Sequence, residues 1–310
     1  MSHALVSGGA GFIGSHLVDR LLEDDWKVTV LDNFDSFYAR SVKEANLAGC
    51  RARGEYRLVE ADLRDPASLQ SLSEGGYDVV VHLAARDGVS PSILDPCGFQ
   101  EVNVWGTQNL LECAQIWGVK QFVFASSACV YGANPRLPWR EDDAELLPSS
   151  PVASTKVSGE LLGHAYSHLH GIRFVALRLF TVYVPRQRPD LAIHRFARAM
   201  LAGRPVEIHG DGSTRRDYTF VGDVVDGIRA AMDYGGMAYE VINLASGRAV
   251  SVREMIRALE GALGSTTRIE SIPGQPDGLP QTWANIGKAQ RLLGYHPRTS
   301  LEEGLRQFAT

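Results

Sequence analysis

A chain of 310 residues is long enough for one large or two smaller domains, and 45% hydrophobic with 22% charged residues is the balance of an ordinary soluble globular protein. A formal net charge of −5 offers no general attraction to nucleic acid or to an anionic membrane, and no apolar run approaches the ~18 residues of a membrane span. Cys50, Cys97, Cys113 and Cys129 lack Cys-x-x-Cys or zinc-ligand spacing, so reduced thiols, no metal site and a cytoplasmic location are expected.

Met1-Ser2-His3 leads directly into Ala4-Leu5-Val6, a short buried strand, and no signal peptide is expected. Gly8, Gly11 and Gly14 follow, then an apolar stripe at Leu17, Val18, Leu21 and Leu22 that predicts a helix. Strand, glycine turn and helix is the setting a dinucleotide fingerprint requires. Gly8 serves the tight turn, Gly11 the approach of a pyrophosphate, and Gly14 the packing of helix on strand, with Phe12 and Ile13 completing the loop. The helix start then offers free N–H groups and a positive dipole end to phosphate.

Lys27 to Leu31 predicts a second strand ending at Asp32 and Asn33. An acid there, 18 residues past Gly14, accepts from ribose hydroxyls and repels a 2′-phosphate, which favours NAD over NADP. Helical character runs from Val42 to Leu47, and Tyr56 to Glu60 predicts a third strand. Asp62 and Leu63 follow where an adenine would rest, and Asp65-Pro66 caps a further helix. Asp78 to Ala85 is apolar but for Asp78 and His82, as a parallel strand covered on both faces should be, and its small end at Leu83-Ala84-Ala85 permits close approach of a cofactor.

A helix from about Phe99 to Gly118 is predicted, with Leu110, Leu111, Ala114 and Trp117 on one face, then a fifth strand from Gln121 to Ala125 leading into Ser126-Ser127. Val152 to about His170 predicts a helix carrying Lys156, and Ile172 to Leu179 a sixth strand. The alternation implies an α/β fold with a doubly wound parallel (Rossmann) sheet whose site lies beyond the strand carboxyl ends. Beyond it, Pro-, Gly- and Arg-rich stretches predict a smaller mixed α/β lobe, dividing the chain into residues 1–176 and 177–310, with some segments returning to the first part.

Taken together, Gly8/Gly11/Gly14, Asp32, Asp62-Leu63, His82-Leu83-Ala84-Ala85, Ser126 to Gly132, Lys156 and Arg216-Asp217-Tyr218 resemble the extended short-chain dehydrogenase/reductase family, specifically its nucleotide-sugar epimerases and dehydratases. Ser36 to Asn46, Phe180 to Tyr183 and Arg186 to Ala192 look most like UDP-glucuronate 4-epimerases. The resemblance implies bound NAD, oxidation of a UDP-sugar at C4, turnover of the 4-keto sugar and reduction on its other face. It also implies a homodimer formed when the helices at 99–118 and 152–170 pair into a four-helix bundle. Ser127 matches the family's Ser/Thr and Lys156 its lysine, while Ala128-Cys129 replaces the acid pair of sugar 4,6-dehydratases.

The family's base is a tyrosine four residues before the lysine, and here that position is Val152. Loss of a positioned base costs roughly 10²–10⁴-fold. Three readings are open: a non-catalytic NAD and UDP-sugar binding relative, a variant that traps a complex, or another group doing the proton work, slowly or in a different reaction such as decarboxylation or dehydration. Tyr131 is the nearest tyrosine in sequence, though the resemblance makes its position structural. Further departures are Val184 for a glycine, Asn285 for an aspartate, and the order of residues 275–280.

Arg216 resembles the arginine that pairs with the UDP diphosphate, a role that suits a guanidinium fork. Arg186 or Arg188 is a candidate for a uronate carboxylate, Thr181 and Asp277 for sugar contacts, and Asn103 for support near the cofactor and Lys156. His16, His82 and His164 lack a carboxylate at metal spacing and read as core or surface groups, and Cys129 reads as a buried thiol.

Overall fold

The computed structural model describes residues 1–143, 145–273 and 279–309. Among these, the strands are β1 His3–Ser7, β2 Lys27–Asp32, β3 Tyr56–Glu60, β4 Val79–His82, β5 Gln121–Ser127, β6 Arg173–Leu179, β7 Thr181–Tyr183, β8 Val206–His209, β9 Arg215–Phe220, β10 Tyr239–Leu244, β11 Ala249–Ser251 and β12 Ile269–Ile272. The helices are α1 Phe12–Glu23, α2 Arg40–Leu47, α3 Val89–Leu94, α4 Pro96–Gln100, α5 Gly106–Ile116, α6 Pro151–His170, α7 Ala192–Leu201, α8 Val221–Met232, α9 Val252–Leu263, α10 Gly287–Leu293 and α11 Leu301–Ala309.

Seven strands form one parallel sheet in the order β3-β2-β1-β4-β5-β6-β10. Alternate residues of its strands feed two separate cores. Val6, Val30, Val81, Val123 and Val175 pack with α1 and α8 on one face, and Leu5, Leu31, Val80, Phe122 and Phe174 with α5 and α6 on the other. Both faces are covered, which is why these strands read as unbroken apolar runs. The strand order reverses between β1 and β4, so the crevice beyond their carboxyl ends is where this topology places a ligand.

The predicted strands and helices of the first 180 residues are present with differences at their ends, except that the helix capped by Asp65-Pro66 is a 3-10 helix at Pro66–Leu72. β4 stops at His82, leaving Leu83 to Ala85 as the loop beyond it. The predicted helix at 99–118 is three pieces, α4, a π-helical turn at Glu101–Trp105 and α5. Periodicity fixes a helix face but does not reveal a wide turn inserted to aim one side chain. α6 begins one residue earlier than predicted, with Pro151 in its first turn and the Ser150 side chain accepting from the Ala153 amide. Gly159 and Gly163 let α6 lie against the sheet, since a Cβ there would come within 2.4 Å of Phe124 and 2.1 Å of Phe174.

After β6 the chain builds two small sheets, β11-β9-β7 and β12-β8, and sends β10 back to pair with β6. β7 begins two residues after β6 ends, so Thr181 stands at the carboxyl rim of the large sheet.

Candidate functional site

The turn after β1 is built around glycine. Gly8 has φ +72°, and a Cβ on it would lie 2.7 Å from the amide of Ala84, so the loops after β1 and β4 touch at the switch point. A Cβ on Gly14 would lie 2.2 Å from the Gly8 carbonyl oxygen, and one on Gly11 3.1 Å from the same atom. Gly11 caps α1 without a side chain, so no capping group takes the amides of the first turn, which begins Phe12-Ile13-Gly14. That leaves backbone donors and the positive end of a helix at the mouth of the crevice.

Asp32, buried at the end of β2, accepts from the amides of Ala10 at 3.1 Å and Phe34 at 2.9 Å. It therefore holds the glycine loop to the end of β2. Lys43 of α2, buried and 3.5 Å from Asp32, supports it and was not singled out from the sequence. Asn33 donates to Asp62 at 3.0 Å, which joins the ends of β2 and β3. The Arg64 guanidinium on Asp62 holds that carboxyl far below the usual range. Leu63 is buried, and its carbonyl accepts from Asn109 of α5 at 2.8 Å.

Leu83 and Ala84 are tied back to β1, their amides reaching Ser7 O at 3.1 Å and Ser7 Oγ at 3.4 Å, and Ala85 follows. His82 below them is fully buried between Ser7 Oγ at 2.6 Å and Thr107 Oγ1 at 2.9 Å, and desolvation lowers its pKa to about 3, so it stays neutral in the core. His16 bonds the Pro185 carbonyl, and His164 packs edge-on to Tyr239. Among the described residues, no cluster of three or more His, Cys, Asp or Glu could hold a metal ion.

Asn103 sits in the π-helical turn and is buried. Its oxygen accepts from the Arg86 amide at 2.8 Å, and its amide group donates to Arg86 O at 2.9 Å and to Thr155 Oγ1 at 3.0 Å. Thr155 in turn donates to Val152 O at 2.7 Å. One side chain thus fastens the loop after β4 to the first turns of α6, and its polar atoms go to protein rather than standing open to a ligand.

Lys156 donates to Ala125 O at 2.7 Å and is buried, which lowers its pKa against an opposing pull from Asp87. Ser127 ends β5, and its Oγ accepts from the Cys129 amide at 3.2 Å. Val152 is buried one helical turn before Lys156 and carries no group that could exchange a proton. Tyr131 is turned into the core. Its hydroxyl donates to Asn243 at 2.8 Å, its ring stacks on Trp139 at 5.0 Å, and burial pushes its pKa up. Burial likewise pushes the Cys129 thiol up to about 11, which leaves it protonated and inert. Beneath these groups Glu160 and Arg178 form a buried ion pair at 2.7 Å, and Ser126 donates to Glu160 at 2.5 Å.

Beyond β6, Thr181 pairs in register with Tyr218, two residues from Arg216, so β7 brings Arg216 to the same rim. Among the described residues no carboxylate pairs with the Arg216 guanidinium, whose one hydrogen bond is to Arg215 O at 2.8 Å. Burial lowers its pKa. Asp217 beside it is fully buried and accepts from the amides of Ser246, Gly247 and Ala284 at 2.8, 3.1 and 3.3 Å, which locks β9 to the loop after β10. Arg186 lies on Asp19 of α1 at 2.8 Å, and Arg188 on Asp190 at 2.9 Å and Asp87 at 3.5 Å, so both guanidinium groups already have acidic partners. Asp277 lies outside the described residues.

A model of the NAD dependent epimerase/dehydratase family matches residues 4–245, from β1 to the residue after β10. A UDP-glucuronate 4-epimerase of Thermodesulfobacterium geofontis is 36% identical over 310 residues, 99% of this chain and 95% of its own length. The crystal structure of UDP-glucuronic acid 4-epimerase from Bacillus cereus, in complex with UDP-glucuronic acid and NAD, matches with a TM-score of 0.92 at 36% identity, over 99% of this chain and 98% of that one. UDP-glucose 4-epimerase of Thermotoga maritima, with UDP-glucose, gives 0.91 at 33% identity, over 99% and 97% of the two chains. The family match spans the glycine loop, the Asp32 rim, Lys156 and Arg216, and on that ground the chain belongs to the NAD dependent epimerase/dehydratase family.

Proposed function

We propose that the protein is an NAD-dependent 4-epimerase of UDP-sugars, of the UDP-glucuronate or UDP-glucose type, in which Val152 takes the place of the tyrosine base and slows turnover. The observation that carries the sugar-nucleotide half is Arg216, a partly buried guanidinium without an acidic partner among the described residues. Burying such a charge costs free energy unless an anion meets it, and a diphosphate matches its fork. The names of the relatives supply the same substrate class.

The glycine turn, the first amides of α1 and Asp32 fit the pyrophosphate and ribose of NAD. Bound there, NAD supplies a reversible two-electron acceptor. Lys156 holds the nicotinamide ribose, Ser127 bonds the reacting hydroxyl, and Arg216 with Thr181 fixes the nucleotide sugar. The residues at 1–176 hold the dinucleotide and those at 177–310 the UDP-sugar, with β10 returned to the large sheet. The chain works as a homodimer in which α5 and α6 pair with their copies, a reading supported by the exposure of Ile116, Leu161 and Leu169 along these helices and of Trp105 just before α5.

The test is incubation of the protein and a Val152→Tyr variant with UDP-glucuronate and with UDP-glucose, the products being separated by chromatography. Epimerisation of either sugar, faster in the variant, is expected. Failure of both proteins to bind any UDP-sugar overturns the reading.

A further inference from the structure

We infer that Asp87, on the loop after β4, is the acid and base that exchanges the sugar hydroxyl proton in place of the absent phenol. This rests on the proposed 4-epimerase reading. The groups that could otherwise do this work at the rim are committed elsewhere. Tyr131 is buried on Asn243, the Cys129 thiol is held protonated, His82 is enclosed by Ser7 and Thr107, and Lys156 donates to Ala125 O. Ser127 is an alcohol, which orients a hydroxyl but does not keep its proton.

Asp87 differs from all of these. It is a carboxylate exposed at the end of the loop after β4. Its place is fixed by its neighbour. Both backbone polar atoms of Arg86 are bonded to Asn103, which continues through Thr155 to the carbonyl of Val152. The residue after Arg86 is therefore anchored to the turn of α6 that carries position 152 and precedes Lys156. Burial weakens the Lys156 ammonium, and Asp87 is the first charge that opposes this, which places the two groups in each other's field. On its other side Arg188 approaches to 3.5 Å and stacks over Phe37, holding the carboxylate from the second lobe.

In the step assigned to it, the sugar O4–H bond breaks and the proton passes to an Asp87 oxygen. The oxygen's electron pair closes C4=O, and the C4 hydrogen departs with its electron pair to the nicotinamide dinucleotide. In the return step Asp87 gives the proton back to O4. An aspartate is a weaker base than a tyrosinate, so turnover runs below that of Val152→Tyr.

The experiment compares the natural chain with Asp87→Asn, Asp87→Glu and the Val152→Tyr/Asp87→Asn pair, each tested for UDP-glucose and UDP-glucuronate binding by calorimetry and for C4 epimerisation. Asp87→Asn is expected to lose about 10²-fold or more in kcat, while its UDP-sugar Kd stays within about threefold, less than 1 kcal/mol. Asp87→Glu keeps part of the rate, and Val152→Tyr restores turnover to Asp87→Asn. Normal turnover by Asp87→Asn overturns the inference, as does a natural chain that binds NAD and UDP-sugar yet never epimerises. Absence of any UDP-sugar binding instead removes the reading on which it rests.

Discussion

Gly14 and Gly8 are in backbone contact across the first turn, and a Cβ at Gly14 would sit 2.2 Å from the Gly8 carbonyl oxygen. The atom in the way is backbone, held by the Gly8 amide's bond to Leu31 O at 2.7 Å, so it cannot swing aside like a side chain. Gly14→Ala gains up to about 1 kcal/mol of helix propensity and loses about 1–3 kcal/mol or more to overpacking. The variant is expected to melt lower and to retain less than about a tenth of the bound NAD, a loss of the order of 1.4 kcal/mol. Thermal unfolding and nucleotide content check this.

Arg216 separates binding from stability. A charge-assisted hydrogen bond contributes about 1.5–3 kcal/mol, so Arg216→Met should weaken UDP binding roughly 10–100-fold. No acidic partner among the described residues is orphaned by the change. The melting temperature and NAD content should therefore hold or rise, in contrast to Gly14→Ala. Calorimetry with UDP, beside a thermal melt, tests both halves.

His82 makes the fold sensitive to acid. Its pKa falls from the ordinary 6.5 to about 3 because burial disfavours the imidazolium. The unfolded chain therefore takes up the proton first, and the contribution of His82 to stability, complete above 6.5, is lost as the pH falls through about 3. Between pH 7 and about pH 4.5 the urea midpoint of the natural chain should drop further than that of His82→Gln. Equal drops would contradict the assignment.

Glu160 and Arg178 bear on the platform under Lys156. Both are buried, and Glu160 also receives Ser126 at 2.5 Å. Glu160→Gln strands the guanidinium and should cost about 3–5 kcal/mol in urea unfolding. Replacing both residues with Met should cost less than either single change.

The sheet was legible because both of its faces are covered, and Val79 to Val81 or Phe122 to Ala125 can be little else than interior strands. Gly8 and Gly14 were legible because a turn with φ +72° and a contact of 2.2 Å admit no side chain. The pin at Asn103 was only half legible. Its partners, Arg86 and Thr155, are 17 and 52 residues away, and nothing local marks such a bond. Arg186 and Arg188 looked available for an anion because their sequence neighbourhood does not show that Asp19 and Asp87 lie against them. A return of some later segment to the first part is expected from the sequence, but that Tyr239–Leu244 is the strand that pairs with β6 is not marked by any local pattern.

The claim on which the account turns is that the amides opening α1 and the carboxylate of Asp32 hold an adenine dinucleotide. The direct measurement is to incubate the purified protein with NAD, remove unbound nucleotide, denature with acid and quantify what is released. About one NAD per chain is expected, and far less from Gly14→Ala. Release of no dinucleotide from the natural chain, or equal release from Gly14→Ala, would contradict it.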